Sequence, residues 1–144
     1  MIFARQLPQT IQFVDRHPQQ VFVLDHIGKP RIREGDLDPW RNHRTELAKR
    51  RNVYCKISGM VTEANWRACS TENLSPYLEI VLQAFGPNRL MMGSDWTVCL
   101  LATTYSRWFE VVQTLLGQLS AGEQQRIFGE TATEVYRLAP SGRL

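Results

Sequence analysis

Apolar and polar positions along this chain repeat at two periods, and the switching between them predicts its elements. Leu7, Ile11 and Val14 fall at helical intervals, with Pro8 tolerated in a first turn. His17-Pro18 closes that segment, because the residue before a proline is pushed out of the helical region. Val21-Phe22-Val23-Leu24 is then a short continuous apolar run, as in a strand buried on both faces of a parallel sheet. A polar loop from Pro30 to Asp38 leads into a helix that starts at Pro39 and carries Trp40, Leu47 and Ala48. The second strand, Val53-Tyr54-Cys55-Lys56-Ile57, runs into Ser58-Gly59.

A loop containing Trp66 follows. Ser75-Pro76 reads as an N-cap with proline at the first helical position, and Gly86-Pro87 stops the helix it opens. A third strand, Arg89-Leu90-Met91-Met92, ends at Gly93-Ser94-Asp95-Trp96. Beyond it, Trp108, Val111, Val112, Leu115, Leu116 and Leu119 form a helical stripe. Ser120 to Glu123 has the spacing of a capping box, for a short helix ending near Gly129. Thr131 to Leu138 is a last helix.

Strands alternating with helices imply right-handed βαβ units around a parallel sheet, the α/β class. Three strands alone leave two edges of unpaired backbone. Partner chains must complete the sheet, or the chain is part of a larger fold.

Composition narrows the picture only modestly. The 144 residues are 43% hydrophobic, enough for one domain with a real core, and the 22% charged fraction is ordinary. No apolar run approaches the ~20 residues of a membrane span. The start of the chain lacks the pattern of a signal peptide, so a cytoplasmic location is expected. A net charge of +3 is small, and Lys49-Arg50-Arg51 reads first as a solvated helix end, so no nucleic-acid partner is expected. Cys55, Cys69 and Cys99 are an odd count without CxxC spacing, which suggests reduced thiols.

Candidate chemistry collects where parallel α/β folds place it, at the carboxyl ends of strands. The first strand delivers Asp25-His26, the second Lys56 and Ser58, and the third Ser94-Asp95-Trp96. His26 is either a buried histidine bonded to a carbonyl, or a base or ligand. Lys56 shares a strand face with Tyr54 and Ser58, so its ammonium needs a partner or a wet cavity unless it snorkels from an edge strand. Asp95 follows two small residues and either caps the next turn or turns its carboxylate to the mouth. Trp40, Trp66 and Trp96, all near strand-end loops, either line a pocket or pack. Carboxylate and imidazole at different strand ends suit a divalent metal or general-base activation of water. A small complete α/β binding module is a weaker alternative, and no phosphate-binding Gly-rich loop supports it, since neither GxGxxG nor GxxxxGK[ST] occurs.

Three segments carry a family resemblance: Leu24-Asp25-His26-Ile27-Gly28-Lys29-Pro30, Val53-Tyr54-Cys55-Lys56-Ile57-Ser58-Gly59 and Arg89-Leu90-Met91-Met92-Gly93-Ser94-Asp95-Trp96. With Thr62-Glu63-Ala64-Asn65-Trp66 and Ile127-Phe128-Gly129-Glu130-Thr131-Ala132, they resemble the amidohydrolase-related family of barrel hydrolases, particularly L-fuconolactonase- and L-rhamnonolactonase-like proteins. The resemblance implies the C-terminal portion of a (β/α)8 TIM-like barrel, with residues 1–144 a single partial domain lacking the N-terminal strands. It implies opening of a small-molecule sugar lactone by water, with Asp95 and His26 catalytic. Lys56, Ser58, Lys29 and Trp96 would bind substrate. The cofactor expectation is one divalent, zinc-like metal ion on His26 and Asp95, or a metal-independent reaction. Homo-oligomerisation is compatible with this reading. So is an inactive half-barrel that needs a partner.

Two departures stand out. Thr97 occupies the place where the family usually has proline, and the first-strand His-x-His is absent, since the histidines are His17, His26 and His43 only.

Overall fold

A computed structural model describes residues 2–138. Its strands, β1 (Phe22–Leu24), β2 (Val53–Ile57) and β3 (Leu90–Met92), form one parallel sheet in the order β1-β2-β3. Helices α1 (Leu7–Asp15) and α2 (Trp40–Ala48) precede and follow β1, and α4 (Thr71–Phe85) connects β2 to β3. A single-turn helix, α3 (Met60–Glu63), leaves the end of β2. After β3 come α5 (Tyr105–Leu115), α6 (Ala121–Gln125) and α7 (Thr131–Val135).

Register explains the two faces of the sheet. Leu24 pairs with Cys55 and Cys55 with Leu90, and all three are buried. That face meets the apolar sides of the helices, including Leu7, Val14, Leu47, Leu78 and Val81. On the other face Val23 pairs with Tyr54 and Lys56 with Met91. Tyr54 and Lys56 are half-buried, so this face carries the polar chemistry. Within β2 the alternation is complete: Val53, Cys55 and Ile57 are buried between the half-buried Tyr54 and Lys56.

Arg89 ties the helix carboxyl ends to the start of β2, at the opposite end of the sheet from the strand carboxyl ends. Its guanidinium donates to the carbonyls of Ala48, Arg50 and Val53 at 2.9, 3.1 and 3.1 Å, and to that of Ala84 at 3.3 Å. One side chain thus satisfies carbonyls at the ends of α2 and α4 and at the start of β2. Two residues of the basic run beside it are paired, Arg50 with Asp15 at 2.8 Å and with Glu46 at 2.6 Å, and Lys49 with Glu46 at 2.6 Å. Deeper in the layer, Arg44 is fully buried against the rings of Trp40 and Phe85. Burial holds its pKa down at about 10.

Two helix boundaries differ from the sequence expectation. Helix α4 begins at Thr71 with Ser70 as its cap, so Ser75 and Pro76 lie inside it. Asn73 Oδ1 accepts the Ser70 backbone N–H at 3.1 Å, and the added turn buries Leu74. Pro76, in the second turn, costs the helix about 3 kcal/mol, and burial of Leu74, worth about 1.5–3 kcal/mol, together with that of Tyr77 and Leu78 offsets it. The short helix also does not break at Gly129: a wide π turn, Arg126–Glu130, carries α6 into α7 and packs against β3.

Candidate active site at the strand ends

The segment after β1 has an unusual backbone. His26, Ile27, Gly28 and Lys29 are four consecutive left-handed residues, with φ of 53°, 48°, 78° and 48°. Each non-glycine residue in this region costs about 1–2 kcal/mol, so the turn persists only because its surroundings fix it. The buried Trp40 indole donates to the Ile27 carbonyl at 2.8 Å, and the Ile27 side chain is fully buried. This resolves Trp40 as packing that pins the turn.

The turn aims the His26 ring at the end of β2. His26 Nδ1 lies 2.9 Å from Ser58 Oγ, and Ser58 is fully buried. Gly59, at φ 61°, offers only its α-carbon to the ring: a Cβ built there would stand 2.7 Å from Nδ1. The other ring nitrogen, Nε2, points to Asp95 Oδ1 at 3.8 Å, and both side chains are about 15% exposed (15% and 16%). That separation is too long for a hydrogen bond and leaves room for a shared small group.

Asp95 is itself left-handed, at φ 55°, a conformation aspartate tolerates better than most residues. The capping alternative fails on the hydrogen bonds. Ser94 Oγ accepts the Trp96 N–H at 3.1 Å, and the Asp95 backbone carbonyl accepts from Cys99 at 2.8 Å. Among the described residues the Asp95 carboxylate accepts no backbone N–H, so it is not spent on a cap. The buried Trp108 indole donates to Gly93 O at 2.9 Å and fixes the end of β3 from below.

Lys56 stands on the central strand, so the edge-snorkelling alternative falls away. Its Nζ lies 2.6 Å from Asp25 Oδ1, and its stem crosses Gly93, where a Cβ would meet Lys56 Cδ at 2.9 Å. Burial works against the ammonium's charge, but the neighbouring Asp25 carboxylate and Tyr136 outweigh it and raise its pKa. Lys29 is drawn elsewhere, to Glu63 Oε1 at 2.5 Å. Trp96 is 67% exposed on the rim of the Asp95 loop.

The structure therefore gathers His26, Asp95 and Ser58 into one cluster, sets Lys56 with Asp25 beside it, and leaves Trp96 at the lip. Ser58 is placed behind the imidazole and away from the surface. Sequence reasoning missed Gly59 and Glu63 as parts of this arrangement. Gly59 had a signal, a glycine directly after a strand-end serine; Glu63 had none beyond its place in a familiar segment. A groove of about 720 Å³ lies along the free edge of β1 and touches only Asp25 of these residues. It lies where a barrel would place its next strand.

Parallel strands backed by helices, with acid and imidazole converging at their carboxyl ends, define a segment of a β/α barrel with its mouth residues in place. The chain belongs to the amidohydrolase family, whose model matches residues 1–138. It is 43% identical to an L-fucono-1,5-lactonase of Burkholderia multivorans, over 96% of this chain and 50% of that protein. An L-fucono-1,5-lactonase of Burkholderia ambifaria is 35% identical, over 99% of this chain and 50% of its own length. The crystal structure of an amidohydrolase from Burkholderia multivorans with bound zinc superposes with a TM-score of 0.92 at 43% identity, covering 96% of this chain and 51% of that one. The chain thus spans about half the length of the curated relatives it matches, and its three strands are part of a TIM-like barrel.

Proposed function

We propose that this chain supplies the C-terminal part of a hydrolase that opens a sugar lactone, of the L-fucono-1,5-lactone kind, by attack of water. The observation that carries the reading is the meeting of His26 Nε2 and Asp95 Oδ1 at 3.8 Å from the ends of different strands. The lactonase names of the relatives supply the substrate class. Asp95, facing the mouth with a free carboxylate, takes the proton of the attacking water. His26, its ring fixed through Nδ1, presents Nε2 to the reacting oxygen atoms. Lys56 and Trp96 lie on the substrate side of this pair, the first as a fixed positive charge and the second as an exposed apolar face for the sugar ring.

His26 and Asp95 also offer two donors of the kinds that zinc takes. A metal-binding histidine usually has its second nitrogen engaged by a hydrogen-bond partner, and Ser58 provides one at 2.9 Å. Among the described residues no group of three or more His, Cys, Asp or Glu side chains is assembled. The pair therefore fits half of a four-ligand set, and the other ligands would come from the remaining strands of the barrel. A divalent ion held there would polarise the lactone carbonyl and acidify a bound water.

The open edge of β1 supports a dependence on those other strands. Its groove is lined by Ile2, Phe13, Phe22, Val23 and Leu24 beside polar residues of α1, and the apolar part is suited to burial against a neighbouring strand and helix. The test is a lactone panel offered to the whole protein that carries this chain, and to residues 1–144 alone. The reading expects ring opening of six-membered aldonolactones by the whole protein and little by the chain alone. No turnover of any lactone by the whole protein, with zinc supplied, would refute it.

A further inference from the structure

We propose that Lys29 and Glu63 form a positioning clasp that holds His26 in register with the end of β2, an inference that rests on the lactonase reading for its activity arm. The left-handed turn from His26 to Lys29 is tied to the next strand-end segment at two places. At one end the His26 ring lies against Gly59 and Ser58. At the other, Lys29 Nζ meets Glu63 Oε1 at 2.5 Å, with both side chains largely withdrawn from water (14% and 24% exposed).

Gly59 and Glu63 bracket the single turn of α3, which Thr62 Oγ1 tightens by donating to Gly59 O at 2.9 Å. The residue that caps this short element thus touches the imidazole, and the element's final residue grips the last residue of the turn. Lys29 N donates to His26 O at 2.8 Å, so the backbone of Lys29 and that of His26 move together. A pull on the Lys29 side chain is transmitted to His26 through that closed turn.

The geometry also reassigns Lys29. With its ammonium on Glu63, and within 5.4 Å of the Phe3 ring centre, it is engaged inside the fold, which favours a positioning role over substrate binding. Lys29 and Glu63 are accordingly positioning residues.

The experiment compares Lys29→Met, Glu63→Gln and the double variant in the whole protein. The readouts are steady-state kinetics on L-fucono-1,5-lactone and the ¹⁵N resonances of the His26 imidazole. The clasp predicts that each single change lowers kcat by about tenfold or more with KM little altered, since misplacement of about 1 Å costs up to 10²-fold. It predicts that the double variant is no worse than either single, and that the His26 resonances shift in all three. A rise in KM for Lys29→Met with Glu63→Gln silent would make Lys29 a substrate ligand and overturn the clasp. Unchanged His26 resonances in Glu63→Gln would overturn it equally. Should Lys29→Met fail to fold, Glu63→Gln, which keeps the side-chain shape, decides alone. If the wild-type protein opens no lactone, the lactonase reading fails, while the resonance shifts still test the clasp.

Discussion

Replacing Gly59 by alanine puts a methyl group where the His26 ring already stands. The new carbon would lie 2.7 Å from Nδ1, 2.8 Å from Cγ and 2.9 Å from Cβ of His26. Restoring an ordinary contact near 3.4 Å requires the ring to retreat by about 0.7 Å. The backbone adds its own term, since φ 61° costs an L-residue about 1–2 kcal/mol. Retreat also stretches the 2.9 Å contact with Ser58, whose net worth is about 1 kcal/mol. Together these give a destabilisation of about 2–4 kcal/mol. Urea unfolding reads that loss as a lower midpoint at unchanged slope. Steady-state kinetics should show kcat down by on the order of 10²-fold, because the ring that must meet the reacting atoms has moved. A variant within about 0.5 kcal/mol of wild type and with unchanged kcat would refute the account of Gly59 as the floor beneath His26.

Two further predictions concern the scaffold. Arg89→Ala orphans carbonyls on α2, β2 and α4 at once, so stability should fall by about 2–4 kcal/mol in urea unfolding, with lactone KM little changed because the mouth is at the other end of the sheet. Burial pushes the Cys55 thiol up to about 12 from its usual 9.0, so the folded state holds this proton more tightly than the unfolded chain. That contribution is complete below pH 9.0 and is lost as pH rises towards about 12, and Cys55→Val should flatten this part of the stability–pH curve.

Much of the fold was legible because it rests on patterns with a short period. The apolar runs at Phe22–Leu24, Val53–Ile57 and Leu90–Met92 announce buried parallel strands, and each ends in residues capable of chemistry. On that ground Asp95 and His26 were candidates at different strand ends, and the family resemblance joined them in one site. What stayed hidden depends on contacts between segments distant in sequence. Ser75-Pro76 imitates a helix start, but Leu74 one residue earlier needs burial, and the helix begins at Thr71 instead. No local rule favours four left-handed residues at 26–29, one of them the β-branched Ile27; Trp40 and Glu63 stabilise them from other elements. Ser58 was legible as a site residue, but its place behind the ring was not, because a hydroxyl suits both roles equally.

The assignment of Asp95 as the group that activates water is the centre of the account. Its most direct test is the rate of L-fucono-1,5-lactone opening by the whole protein against its Asp95→Asn variant, both checked for equal folding. Asparagine keeps the shape and the left-handed backbone but cannot take a proton, so kcat should fall by about 10²–10⁴-fold. An Asp95→Asn protein that is folded and turns over within about threefold of wild type would contradict the claim, since general-base assistance is worth far more than that.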